Sequence, residues 1–520
     1  MRFLFVIFIV FALSGGLCSA RNLQVKTSDK FLQELFDGIV RKADSNLREY
    51  VDGRKVLVEG DIWIGLWMET QPMGGFMYGK FDPEIALNNM NIIMEGQRED
   101  GLIPAMTELN GNRWYGSLGM NMVAAYGLDV YRLAGEDRAF LLRLYETLER
   151  YDAFLWKYRD TDGDGCLEQF GVVDTGEDGT TRYDLPRDAS PILVPEKTVE
   201  SSLIMADSYI NRKTLAEISR LLNNGKEKYW QEKAAHVSQT VRDYLWNDTD
   251  GVVFDRDALN REIKCDNSQT LLRTMFMRVV SQEMADRMVE RLMSTEHFFT
   301  TVPFPSIAVD DSRYLRSEDN EYCAWSGPSQ GLTFQRSVRA FENYGHYAEL
   351  GLVAERFFAA LGRNVGAFNV QFNPTTGEPM GSDGYGPMIL AALEYYSHLY
   401  GVFSDKDEMV WNGLALKSGD DMDYVQEHKG RRYRQVQADG MLTGYVDDRA
   451  VFEVSAGVRV VTDGEGAVKK IIGISSRQIP AVMKYKGRTY TATVGPNEVF
   501  SFENGTLKKT NSVKFFNPYE

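Results

Sequence analysis

Histidine is scarce in this chain. Five occur among 520 residues (His236, His297, His346, His398 and His428), none in an HxH or HExxH arrangement. A histidine-built metal centre is therefore not expected. Cysteine is sparse as well, with four in all, and Cys166, Cys265 and Cys323 stand far apart with no CxxC spacing. Neither a zinc knuckle nor a disulfide framework follows from that pattern; buried free thiols are expected, with one disulfide pair as the alternative. Positive charge is in short supply: 58 Lys and Arg face 74 Asp and Glu, a net charge of −16. A nucleic-acid partner needs a basic face, and this composition offers none. Beyond the N-terminal segment there is no apolar run long enough to span a membrane.

The N-terminal segment has its own grammar. Arg2 precedes an apolar run from Phe3 to Leu13, which ends in Ser14-Gly15-Gly16-Leu17-Cys18-Ser19-Ala20. A basic start, a short apolar core and a small-residue end predict a signal peptide over 1–20, cut near Ala20, and hence an exported protein, periplasmic or secreted. Leu17 stands where a lipoprotein signal has a small residue, which counts against lipid anchoring.

The remaining chain is 43% hydrophobic over its whole length, as globular proteins are. From about residue 28 to 400 apolar residues recur at helical spacing, as in Phe140, Leu141, Leu144, Leu148, Tyr151 and Phe154. The spacing predicts helices over 28–50, 83–97, 117–134, 137–157, 196–223, 226–246, 268–279, 281–293, 329–344, 346–361 and 387–400. Their connections alternate between short ones, near 135, 224, 280 and 345, and long ones, at 98–116, 158–195, 247–267, 294–328 and 362–386. In a run of antiparallel helices this alternation gathers the long loops at one end, as a binding site requires. Segment 51–82 breaks the parity, so a further element is expected within it. After Phe403 strand patterns take over, among them Val451–Val454, Gly457–Thr462 and Arg488–Val494, with turns at Asp463-Gly464 and Glu503-Asn504-Gly505. The expected division is a helical domain over 21–404 and a β-domain over 405–520, in which Tyr485 and Tyr490 read as half-buried strand positions.

The long loops carry the chemistry. Asp160-x-Asp162-x-Asp164-Gly165 copies the front of a calcium loop, but the twelfth position is Gly171 rather than a bidentate Glu. The expectation is no cofactor and a turn whose Asp side chains bond local N–H groups, with calcium at Asp160, Asp162 and Asp164 as the alternative. Further along the same loop, Asp178 is a candidate general acid and Arg182 a candidate substrate-binding residue. Trp63, Trp67, Trp114 and Trp325 stand in loops rich in Gly and Pro, with Gln330 and Gln371 nearby. Flat rings beside amides and carboxylates suit sugars, whose C–H faces stack and whose hydroxyls need partners. The expected partner is an oligosaccharide or glycoside substrate.

Taken in order, these motifs resemble the six-hairpin inverting glycosidases, and most nearly glycoside hydrolase family 63 and the mannosylglycerate-hydrolase-like enzymes. The resemblance runs over roughly residues 55–400. It rests on Gln97-Arg98-Glu99-Asp100-Gly101-Leu102-Ile103-Pro104, on Asp162 to Glu168, on Thr175-Gly176-Glu177-Asp178, on Trp325-Ser326-Gly327-Pro328, and on Val370-Gln371-Phe372-Asn373-Pro374-Thr375-Thr376-Gly377. It implies an (α/α)6 barrel with a small β-sandwich-like domain, an O-glycosidic (α) linkage cleaved with inversion, and Asp178 as the acid. One position departs from the pattern. Val370 occupies the place of the catalytic Glu, and valine cannot accept a proton. Asp383 and then Glu378 are the first candidates for the base, with Glu69 or Glu321 as further ones. A sugar-binding protein without activity, or an epimerase or lyase on a helical barrel, are the alternatives to a hydrolase.

Overall fold

The computed structural model describes residues 21–60, 62–182, 198–264, 267–314 and 325–520. The expected signal segment, Cys265, Glu321 and Cys323 lie outside the described residues. Twelve α-helices occur among those described: α1 (Lys30–Ser45), α2 (Gln71–Tyr78), α3 (Pro83–Glu95), α4 (Met122–Leu133), α5 (Arg138–Tyr158), α6 (Ser202–Leu222), α7 (Glu227–Tyr244), α8 (Thr270–Phe276), α9 (Gln282–Leu292), α10 (Gly331–Glu342), α11 (Glu349–Gly362) and α12 (Gly386–Tyr400). Local chemistry starts several of them. Asp29 caps α1 by accepting from the Leu32 N–H, Asp82 caps α3 ahead of Pro83, and Asp137 caps α5 through the N–H groups of Ala139 and Phe140.

Alternate helices build a ring. α2 packs on α4, α4 on α6, α6 on α8, α8 on α10, α10 on α12, and α12 returns to α2. This inner ring of six, flanked by the odd-numbered helices, fits the expected (α/α)6 barrel. Position in the ring explains the sequence. Inner α12 is buried over nearly its whole length, whereas α9 buries only Met284, Ala285, Met288, Val289 and Leu292 along one stripe.

The element missing from segment 51–82 is α2. Its sequence QPMGGFMY carries Pro72 and two glycines and has no amphipathic stripe, because almost every residue in it is buried. The glycines are there for contact: a Cβ on Gly75 would lie 3.1 Å from that of Asn89, and one on Gly74 would lie 3.2 Å from the Leu390 side chain. Close packing of an inner helix has overridden helix propensity here.

The long loops are stitched together at their tips by small antiparallel sheets. Gly65–Trp67 pairs with Met106–Glu108, which pairs with Arg113–Trp114. Val199–Glu200 pairs with both Glu168–Gln169 and Asp255–Asp257, and Ser329–Gln330 with Gln371–Phe372. Loops from neighbouring hairpins are thereby held against one another at one end of the ring.

The C-terminal region consists of two antiparallel sheets, one of seven strands and one of six, consistent with a sandwich. The edge strand of the seven-stranded sheet is Leu23–Thr27, from the N-terminal end of the described chain, paired with Met422–His428. The two regions are therefore interleaved rather than consecutive. Tyr485 is buried and Tyr490 half-buried, packed edge-on against Phe502. No helix among the described residues is long and apolar enough to cross a membrane.

Candidate active site

The segment from Val172 to Arg182 is a tightly tied loop. Arg182 is buried and donates to Glu177 (Nη2 to Oε2, 2.8 Å) and to Asp255 (Nη1 to Oδ2, 2.8 Å). Thr175 Oγ1 and Gln269 Nε2 each donate to the Glu177 carboxylate at 2.8 Å. Burial opposes the charge on Glu177, but Arg182 and Arg273 hold its carboxyl below the usual range. Upstream, Asp174 is gripped by Arg159 at 2.6 Å and accepts from the backbone of Leu118 and Phe170. The Trp325 N–H donates to the backbone carbonyl of Asp178 at 3.0 Å. Thr175, Glu177 and Arg182 are thus engaged, while the Asp178 carboxyl has no hydrogen bond from the described residues.

That carboxyl is open to solvent yet has protein on most sides. Burial first, and the charge of Glu69 second, push its pKa up to about 6. Glu69 lies immediately behind the loop: a Cβ on Gly176 would collide with the Glu69 carboxylate, so only glycine, at φ +67°, fits there. Glu69 is held by Arg336 (Nη2 to Oε1, 2.8 Å) and lies 3.6 Å from Arg273. Both arginines are fully buried on inner helices α10 and α8, and burial with the charge of Arg336 lowers Arg273 to about 10. Among the described residues, Arg273 Nε and Nη2 and Arg336 Nε and Nη1 have no hydrogen-bond partner, and neither has Oδ1 of buried Asp207 on inner helix α6. Burial pushes Asp207 up to about 7.

A further carboxyl, Glu59, belongs to this group. Burial, then the charges of Glu69 and Asp178, push it up to about 8, against a hydrogen bond from the Tyr385 hydroxyl at 3.1 Å. Acidic, basic and neutral-polar groups from five inner helices or their loops thus converge at the loop end of the ring.

The other expected site residues fall into two groups. Trp63 stacks edge-on with Tyr385 (5.3 Å), and Trp67 with Trp114 (5.9 Å); all three tryptophans keep part of their surface open. Trp325, by contrast, is 2% exposed, with the Arg273 guanidinium 4.8 Å from its ring. Gln330 and Gln371 are fully buried, and Gln330 donates to Gln371 at 2.6 Å across the small sheet. Arg182, expected to meet substrate, commits its guanidinium to Glu177 and Asp255 and instead fixes the acid loop.

The two first candidates for the base are occupied elsewhere. Asp383 is bonded by Lys42 at 2.5 Å and by the N–H groups of Phe368 (2.7 Å) and Gly384 (2.6 Å). Burial works against its charge, but these bonds hold its carboxyl below the usual range, the state of a structural tie. Glu378 sits on a hairpin turn, 69% exposed, and pairs with Arg363 at 3.0 Å. It is Glu69 whose charge reaches Asp178, not either of these. Val370 is 1% exposed and enters the site only through its backbone, bonded to Ser382 and Gly331.

Asp160, Asp162 and Asp164 form a turn in which each carboxylate accepts a local N–H, from Gly165, Asp164 and Cys166 respectively. Their oxygens converge within 4.8 Å, and Arg261 pairs with both Asp162 and Asp164.

Comparison with known proteins matches residues 77–386 to the sequence profile of the mannosylglycerate hydrolase MGH1-like glycoside hydrolase domain. The chain belongs to this family. It is a glycosidase. A search of curated protein sequences finds no match. Among solved structures, the chain is similar to the GH63 mannosylglycerate hydrolase from Thermus thermophilus in complex with glucose. The TM-score is 0.58 at 16% identity, over 70% of this chain and 99% of that one. It is similar also to the neutral trehalase of Saccharomyces cerevisiae (TM-score 0.55, 13% identity, 67% of this chain and 74% of that one). A third is a GH78 rhamnosidase of Bacillus sp. GL1 (TM-score 0.58, 13% identity, 83% of this chain and 42% of that one). At such identities the likeness speaks for the fold.

Proposed function

We propose that this glycosidase is an exported enzyme that cleaves an O-glycosidic α-linkage with inversion, using Asp178 as general acid. The observation that carries the reading is the Asp178 carboxyl: it has no hydrogen bond from the described residues, it opens to solvent, and its proton is held up to about pH 6. A group in that state can deliver a proton to a leaving oxygen near neutral pH. The unfilled donors of Arg273 and Arg336 and the free oxygen of Asp207 offer partners to sugar hydroxyls, and the half-open rings of Trp63, Trp67 and Trp114 offer stacking faces. Export rests on the pattern of residues 1–20.

The test is hydrolysis of an α-linked disaccharide panel followed by proton NMR. The parent is expected to release a β-anomer first, and D178N to lose activity by about 10²–10⁴-fold. An α-anomer as first product overturns inversion, and D178N within a few-fold of the parent overturns the acid.

A further inference from the structure

We propose that Glu59 is the second catalytic carboxylate of this site, supplied from the opposite side of the hairpin whose Val370 has no acidic group. The inference rests on the hydrolase reading above. The hairpin and the Glu59 segment are one unit. The Val370 N–H bonds to the Ser382 carbonyl, Gly60 bridges to Tyr385, and the Gly386 N–H bonds to the Glu59 carbonyl at 2.6 Å. The backbone beside Val370 therefore leads, through Ser382 to Tyr385, directly to the Glu59 backbone. The fit is close on the Gly60 side, where an added Cβ would meet the Gly384 carbonyl at 3.2 Å.

One oxygen of the Glu59 side chain is held in place and the other is left for a water. Oε1 accepts from the Tyr385 hydroxyl at 3.1 Å, and Trp63 packs on that tyrosine and fixes its ring. Oε2 has no hydrogen bond from the described residues, and the side chain keeps its 8% exposure. The charges that reach Glu59 are those of Glu69, Asp178 and Arg336, so it shares one electrostatic field with the acid. Asp383 and Glu378 have no such reach.

The step balances without a further reactant. A water held at Glu59 Oε2 gives its proton to that carboxylate as its oxygen bonds the anomeric carbon. The glycosidic C–O bond breaks, and the leaving oxygen takes the Asp178 proton. Turnover leaves Glu59 protonated and Asp178 ionised, and exchange with solvent at open Asp178 resets the pair. Two interacting carboxyls lose protons in two steps that belong to the pair, so between about 6 and about 8 the pair carries the single proton this chemistry uses; Glu59, the more strongly raised of the two, holds it most of the time, and the step runs from the less populated arrangement, with Asp178 protonated and Glu59 ionised.

The experiment compares the full-length parent with E59Q, E69Q and D178N on α-D-hexosyl fluorides of gluco, manno and galacto configuration and on the matching α-linked disaccharides. Fluoride leaves without a proton, so D178N is expected to lose less on the fluoride than on the disaccharide. E59Q is expected to lose about 100-fold or more on both. Azide added to E59A is expected to restore turnover as a β-glycosyl azide, a readout that a merely structural glutamate does not give. Melting curves establish that E59Q is folded; if it is not, E59D, which keeps the charge and shortens the reach, takes its place and is expected to lose activity likewise. E59Q within about five-fold of the parent while D178N is inactive overturns the role of Glu59 and leaves the hydrolase reading intact. Loss confined to E69Q assigns the base to Glu69 and overturns it too. A parent inert on every fluoride and disaccharide overturns the hydrolase reading itself.

Discussion

Asp178 and Asp383 stand in loops that look alike in sequence, each next to glycines and each leading into an inner wall of the barrel. Around Asp178 the loop uses every polar neighbour to hold the backbone, through Arg182, Glu177, Asp255 and Arg159, and leaves one carboxyl without a bond. Around Asp383 the loop does the reverse: the carboxylate itself is the tie, bonded to Lys42 and to two backbone N–H groups. The comparison teaches that a carboxylate available for chemistry is recognised by the bonds its neighbours make for it. An acid that is left charged and unsatisfied in a recess stores instability that the surrounding ion pairs must offset.

The largest effect that sharpens this contrast is on rate. D178N is expected to lower kcat/KM by about 10²–10⁴-fold in steady-state assays, whereas D383N is expected to stay within a few-fold. Next comes the support. Arg182→Met removes the buried cation that bonds both Glu177 and Asp255 and is expected to cost about 3–5 kcal/mol in chemical denaturation. A third test is the pH profile of kcat/KM, expected to bend at about 6 and about 8. Below the lower bend both Asp178 and Glu59 are protonated and no base remains; above the upper one both are ionised and no acid remains. E59Q is expected to remove the upper bend.

The smallest effect is on stability and has opposite signs at the two aspartates. The Asp178 carboxyl is raised from 3.8 to about 6 on folding, so its contribution is favourable at low pH and is lost as pH rises through about 6. D178N is therefore expected to melt above the parent at pH 7.5, the difference closing towards pH 4. Asp383 is held down on folding, so its contribution is present above its unfolded value and is lost as pH falls through the folded one. D383N is expected to lower stability at neutral pH by no more than about 1 kcal/mol, as its ion pair is partly exposed. Differential scanning across pH checks both.

Most of the scaffold was legible from the chain because outer helices such as α1, α5 and α9 carry one apolar stripe and side-chain caps. The inner helix α2 was not, since burial on all sides erases periodicity and close packing selects Gly74 and Gly75. In the site, the acid loop stood out by composition. Glu59 did not: Val58-Glu59-Gly60 has no local signature, and its significance comes from Tyr385, Glu69 and Asp178, which other segments bring to it. Arg273 and Arg336 were hidden for the same reason, as charged residues on the concave side of inner helices.

The strand Leu23–Thr27, which completes the edge of the seven-stranded sheet, has a consequence for how the molecule comes into being. It is synthesised about 400 residues ahead of its partner Met422–His428. At ordinary rates of translation the strand waits roughly 20–80 seconds for the backbone it will pair with. The barrel can close during that interval, but the sheet cannot, so its edge strand waits until the helical region between has been made. Any chain interrupted before residue 422 leaves Leu23–Thr27 without the strand it pairs with.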